Sequence, residues 1–239
     1  MFDEGARFKP SRRLIATRLA IESVRVTLSL TVFLSLFSIL LSVISDISDL
    51  PHGIWWIAAA FPFLYMAFAI AAGLFVIALK WLVMGRYTPT NHPLWSLFVW
   101  RTELVTSTYE NLAAPLLLDP LRGTPYLNMF LRALGCRIGK RVFTDTTDIT
   151  EYDLVEVGDD AALNDGAGLQ THLFEDRVMK VSGLKIGARA TVGSMAIVLY
   201  DAVIEDDAQL GDLSVLMKGE TLPAGTSWEG SPARPARGG

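Results

Sequence analysis

Between Ile186 and Thr226 the chain repeats every six residues. Ile186, Val192, Val198, Ile204, Leu210, Leu216 and Leu222 stand in unbroken register. Four residues after each come Ala190, Ala196, Ala202, Ala208, Ser214, Glu220 and Thr226, of which the first five are Ala or Ser. Gly directly follows Ile186, Val192 and Leu210. A six-residue period is neither that of a helix nor the simple alternation of a strand. It is the period of a parallel β-helix, in which each unit supplies one short strand and one turn. The aliphatic residue points inward, and the small residue suits the tight corner.

The repeat reaches back further, with faults. Ile138-Gly139 opens it, with Val142 four residues on. Val157-Gly158 then lies nineteen residues after Ile138 instead of eighteen, a slip of one. Val157, Leu163 and Leu169 continue the series, with Ala161 and Ala167 at the small positions. Ile186 lies seventeen residues after Leu169, so Gln170 to Lys185 breaks the repeat and is expected to hold a loop. Three hexads make one coil, which gives about four coils over residues 138–230. Trp228, Pro232 and Pro235 close the end, and a flexible tail is expected over 231–239.

The first third of the chain is different in kind. Hydrophobic residues make up 51% of the chain and charged residues 19%, and the apolar excess is concentrated here. Residues 1–25 are basic, with Arg7, Lys9, Arg12, Arg13, Arg18 and Arg25 against Asp3, Glu4 and Glu22. Val26 to Ser45 carries no charge, and as a helix its length matches a hydrocarbon core of about 30 Å. Asp46 to Gly53 is a polar break. Ile54 to Leu79 is a second uncharged run, long enough to require tilt or a kink, with Pro62 as the kink point. Trp55, Trp56 and Trp81 sit at its ends, where interfacial aromatics belong. Residues 26–85 therefore read as a transmembrane hairpin. Lys and Arg flank it on both sides and are missing from the turn, which places both ends in the cytoplasm of an inner-membrane protein. The competing reading, a pair of buried helices in a soluble protein, fits the lengths and the clean charge breaks less well. No cleavable signal peptide is expected, because the first apolar run starts too far in and is too long.

Residues 86–137 link the two parts. Pro89 and Pro93 stop the second helix. Leu94 to Leu112 permits a helix with a rough apolar face, which either lies on the membrane surface or packs on the solenoid. Tyr126 to Leu134 is a short apolar helix ended by Gly135, expected to cover the open first coil. The net charge of −4 and the lack of a basic stripe give no sign of nucleic-acid binding. The single cysteine, Cys136, excludes an intramolecular disulfide.

Function in a solenoid belongs where the repeat fails, because regular coils are committed to the core. The break after Leu169 holds His172, the one histidine of the solenoid. An imidazole that is neutral near pH 7 is a natural general base for an amine or hydroxyl. Glu175 and Asp176 are close enough in sequence to orient it or to bind a cationic amine. Asn164 and Asp165 lie about one hexad earlier and complete the candidate substrate-binding set. The plainer reading is that His172 only hydrogen-bonds within its loop. His92, between Asn91 and Pro93, suits a capping or interfacial role. There is no His/Cys cluster with metal-ligand spacing, no nucleophile elbow and no phosphate or dinucleotide loop.

At the level of fold, the repeats resemble the left-handed β-helix acyltransferases. The resemblance implies left-handed coils, so with the hairpin read above the expected fold is a membrane α-helical hairpin plus an all-β left-handed parallel β-helix, with short connecting helices. The wider pattern is more specific. It joins the hairpin to His92-Pro93-Leu94-Trp95, Trp100-Arg101-Thr102-Glu103-Leu104, Asp119-Pro120-Leu121-Arg122-Gly123-Thr124-Pro125 and Thr171-His172-Leu173-Phe174-Glu175-Asp176. Together these resemble the C-terminal membrane region of the polylysine-synthetase-like nonribosomal peptide synthetases. That resemblance implies a unit that joins amino acids by amide bonds, with an acyl donor held on a phosphopantetheine carrier or coenzyme A and no resident cofactor. It implies a carrier domain, membrane lipid and related tandem domains as partners, in a trimer or pseudo-trimer. No adenylation or carrier segment is present, and one solenoid stands where that family has three. An acyltransferase with His172 as base is one expectation. A non-catalytic trimerisation and docking module is the other. Export of a polymer through the helices has little support, since the spans carry no intramembrane charge.

Overall fold

A computed structural model describes residues 10–236; residues 1–9, with Asp3, Glu4, Arg7 and Lys9, and residues 237–239 of the tail lie outside the described residues. Helix α1 runs over Arg12–Ser48 and α2 over Gly53–Val83. The first begins well before the uncharged run at Val26. Ser11 explains the early start, because its side chain accepts from Leu14 N at 3.3 Å. The charges that follow pair along the helix, Arg18 with Glu22 and Arg25 with Glu22. Pro62 lies inside α2 without ending it. Both helices are long and apolar enough to cross a membrane by length and composition. The two differ in burial: α1 has no buried residue, and its Val26 and Leu30 are 72% and 59% exposed, whereas α2 buries Phe68, Ala69, Ala72 and Val76.

After α2 comes a short strand, β1 (Thr90–Pro93), and then α3 (Leu97–Thr108), capped by Ser96. This helix passes directly into a π-helical stretch, Tyr109–Leu118, that accommodates Pro115. Val99, Trp100, Val105, Tyr109 and Leu112 are almost fully buried. The segment is thus packed inside the protein, between hairpin and solenoid, rather than lying on a surface. Tyr109 donates to Thr147 O at 2.9 Å, on the first coil. Helix α4 (Pro125–Leu134) covers that coil from the end, as its apolar face requires. Its Asn128 donates to Val142 O at 2.7 Å and accepts from Thr144 Oγ1 at 2.7 Å.

The six-residue register is realised as three parallel sheets around one core. One face stacks β2 (Arg137–Ile138), β4 (Val155–Val157), β9 (Leu184–Ile186), β12 (Val203–Ile204) and β15 (Thr221–Leu222). Ile138, Val157, Ile186, Ile204 and Leu222 are successive partners on it. The second face stacks β3 (Phe143–Thr144), β5 (Ala162–Leu163), β10 (Thr191–Val192), β13 (Gln209–Leu210) and β16 (Ser227–Glu229), with Leu163, Val192, Leu210 and Trp228 in one column; the third stacks β6 (Gly168–Gln170), β11 (Ile197–Leu199) and β14 (Val215–Leu216), with Leu169, Val198 and Leu216 in another. The seven aliphatic residues of the repeat are at most 1% exposed, and Ala190, Ala196, Ala202, Ala208 and Ser214 are fully buried. Each buried aliphatic side chain contributes about 1.5–3 kcal/mol. The glycines of the repeat have a steric cause. A Cβ on Gly187 would stand 2.6 Å from the backbone nitrogen of Asp206 in the next coil.

Gln170 to Lys185, where a loop is expected, holds a β-hairpin. β7 (His172–Glu175) and β8 (Val178–Val181) pair in antiparallel fashion, and β1 adds to the outer side of β8. Asp176 and Arg177 both have positive φ, at 50° and 60°, which is the geometry of a two-residue primed turn. The hairpin is therefore fastened to the segment that leaves the apolar helices. A buried ion pair fastens the other side: Lys80 Nζ of α2 lies 2.6 Å from Asp153 Oδ2, with both side chains almost wholly enclosed. Tyr87 N donates to the same carboxylate oxygen at 3.0 Å.

Candidate functional site

His172 opens strand β7, where the hairpin leaves the third face of the solenoid. Its Nδ1 lies 2.8 Å from Glu151 Oε2. Glu151 is 1% exposed and sits at φ 36°, an unusual conformation for a residue with a side chain. It occupies the one-residue slip between Ile138 and Val157. Thr171 Oγ1 reaches the same carboxylate oxygen at 2.5 Å. The other oxygen, Oε1, is buried and has no hydrogen-bond partner. A carboxylate only accepts, so Nδ1 of His172 donates to it. In the neutral ring that leaves the Nε2 lone pair as the available acceptor. Burial pulls the His172 pKa down, but the hydrogen bond and charge of Glu151, with Glu103 farther off, more than offset this and hold it above the ordinary histidine value.

The imidazole lines a cleft of about 150 Å³. Phe174 and Met179 of the hairpin form one wall, and Glu103, Thr106 and Glu110 of the facing helical segment form the other. Arg25 of α1 closes one end. A neighbouring cavity of about 300 Å³ lies under the π-helical stretch, lined by Glu110, Asp119 and Asp148 among others. Burial first, and then the charge of Asp148, pushes the Glu110 carboxyl above its ordinary range; burial likewise raises Asp148. Among the described residues no group of His, Cys, Asp and Glu is arranged to hold a metal ion.

The other residues singled out from the sequence stand elsewhere. Asp165 is on a solenoid corner and pairs with Arg122 at 2.8 Å; Asn164 is beside it and also away from the cleft. Glu175 points to Lys180, at 2.6 Å, and to Lys218. Asp176 is in the hairpin turn. The carboxylate that holds His172 is therefore Glu151 and not Glu175 or Asp176. His92 is in β1, stacked on Phe98 with ring centres 4.2 Å apart. Sequence reasoning missed Glu151, Glu103, Glu110 and Arg25. The slip in register was the signal for the first of these.

The stacked six-residue rungs define a hexapeptide-repeat β-helix. Solved structures similar to the chain include a maltose O-acetyltransferase from Clostridium difficile 630, at 20% identity and TM-score 0.41 over 50% of this chain and 81% of that one. A hexapeptide-repeat acetyltransferase from Vibrio cholerae gives 14% identity and TM-score 0.37 over 52% of this chain and 87% of that one. No protein-family model matches the chain. Nearly all of it is similar to one segment of the delta-poly-L-ornithine synthetase of Acinetobacter baumannii strain AB307-0294, with 43% identity over 229 residues, or 95% of the chain. The chain spans 17% of that protein's length.

Proposed function

We propose that the chain is a membrane-anchored acyltransferase unit that forms an amide bond between an activated acyl group and an amine. The observation that carries this reading is the His172–Glu151 pair at the mouth of a cleft. In the proposed step, the acceptor ammonium first loses one proton to bulk water, and Nε2 of His172 takes a second from the neutral amine nitrogen. The nitrogen attacks the carbonyl carbon of a thioester on coenzyme A or a phosphopantetheine carrier. Backbone N–H groups stabilise the oxyanion. The C–S bond then breaks, and His172 returns the proton to the departing thiolate. The carboxyl groups of Glu110, in the cleft, and Asp148, in the neighbouring cavity, suit a cationic acceptor. The name of the ornithine-polymer synthetase suits an amino acid on both sides of the bond.

In this reading α1 and α2 span the cytoplasmic membrane, with both ends inside, and the coils wind left-handed. The six basic residues before Val26, and their absence between the helices, support that orientation. His172→Ala, tested in the full assembly, is expected to abolish amide formation while the assembly persists. Undiminished product would remove His172 from the mechanism.

A second reading has its own observation. One solenoid corner presents Met195 and Leu213, 59% and 72% exposed, both at positive φ, beside the partly exposed Ile197 and Met217. Other corners carry Arg141, Asp160, Arg189 and Asp207 at the same kind of position. An apolar corner suits docking to a related solenoid, and in this reading the chain trimerises and holds catalytic parts at the membrane. Mass measurement of the detergent-solubilised assembly tests it: a monomer that still makes product contradicts this role.

A further inference from the structure

A second cavity lies beside the His172 cleft, and it has a direction. It is about 570 Å³, within the range of about 300–1,000 Å³ usual for ligand clefts. Arg25, Ser29 and Phe33 line it from α1, four residues apart and hence on one helical face. Ser107, Asn111 and Leu116 line it from the facing segment. Along Arg25, Ser29 and Phe33, and along Ser107, Asn111 and Leu116, the order is the same, polar first and apolar last, with Val26 and Leu30 adding apolar surface between. The change takes eight residues of α1, about 12 Å at 1.5 Å per residue. Arg25 and Ser107 also line the His172 cleft, so the polar end of the groove opens on the candidate site.

Two details of the polar end point to a ligand. Thr17, Ser23, Thr27 and Ser35 of α1 each donate back to the carbonyl four residues earlier. Ser29 does not; its Oγ is buried and has no hydrogen-bond partner. Arg18 and Arg25 share Glu22 and Glu103, Arg18 at 2.5 and 2.8 Å and Arg25 at 2.6 and 3.8 Å, so two cations and two carboxylates meet at one level. A phosphopantetheine arm fits this gradient poorly. With its thiol at His172, its phosphate would lie at the apolar end near Phe33.

We infer that this groove binds one membrane phospholipid with a zwitterionic head, the phosphate at Arg25 and Ser29, the ammonium at Glu22 and Glu103, and an acyl chain along Phe33 and Leu116. The inference rests on reading α1 and α2 as membrane spans. It makes the lipid head a part of the wall beside His172.

The test uses the whole chain, reconstituted in vesicles containing phosphatidylethanolamine, re-extracted in mild detergent and weighed by native mass spectrometry. The parent protein is expected to retain one phosphatidylethanolamine. Ser29→Phe, which fills the groove, and Asn111→Leu, at an exposed position that tolerates change, are expected to lose it. Ala71→Phe, which fills a separate apolar groove between α1 and α2, and His172→Ala are expected to keep it. The inference is overturned if Asn111→Leu and Ser29→Phe retain the lipid as the parent does, or if the retained mass is a fatty acyl compound without phosphorus. Because His172→Ala is scored for lipid and for product separately, failure of the lipid site and failure of the catalytic reading are distinguishable.

Discussion

His172 Nδ1 and Glu151 Oε2 stand 2.8 Å apart, although 21 residues separate them in the chain. The carboxylate is buried and the imidazole is partly exposed, so the pair faces the cleft with its titratable end. In the proposed mechanism Glu151 is a positioning residue, fixing the ring so that Nε2 accepts. Glu151→Gln preserves shape and removes the charge. The expected result is a fall of about a hundredfold in the amide-forming rate, with retention of fold by circular dichroism. An unchanged rate would remove Glu151 from the account.

The same pair predicts a sign for stability against pH. The folded protein holds the His172 pKa above its ordinary value. The proton is therefore bound more tightly in the folded state, and this contribution is fully present below the ordinary histidine pKa. It is lost as pH rises through the raised folded value. Denaturant titration from about pH 6 to pH 8 is expected to show a stability loss in the parent that His172→Ala lacks.

Lys80 and Asp153 give a third expectation. Their side chains are 0% and 6% exposed, so removing one partner leaves the other charge enclosed. Lys80→Met is expected to cost about 3–5 kcal/mol in unfolding free energy. Lys80→Met with Asp153→Asn is expected to recover a good part of it. Equal costs for the single and double variants would show that the pair is not coupled.

The solenoid was legible because its core is periodic. Ile186 to Leu222 are spaced by the geometry of the coil itself, and each lands inside. Ala and Ser stand where the corner has room for little else. The hairpin β7–β8 was harder to see. Asp176-Arg177 is a primed turn without the glycine or asparagine that usually marks one, and the third strand, Thr90–Pro93, comes from a Pro-bounded stretch with no strand signature of its own. The start of α1 at Arg12 was masked by charges that pair along the helix. The site was half legible. His172 stood out as the histidine at the break, but its partner came from the preceding coil, and stacking brings together residues whose separation follows the coil length and not local order. Glu175 was near in sequence and faces Lys180 and Lys218 instead.

Two substitutions in the solenoid separate core from surface. Ile204 is fully buried in the first column, and Ile204→Ala is expected to cost about 2–5 kcal/mol. Arg122 and Asp165 form an exposed pair, and Asp165→Ala is expected to change stability by no more than about 1 kcal/mol. Urea unfolding midpoints measure both, and a large loss in Asp165→Ala would assign that corner a structural role.

The central claim is that His172, held by Glu151, is the base. The pH dependence of single-turnover amide formation by the full assembly tests it most directly. The account predicts a rate that rises with pH through an inflection above the ordinary histidine value, and an inflection that moves down in Glu151→Gln. A profile with no histidine-range inflection, or one that Glu151→Gln leaves in place, would contradict it.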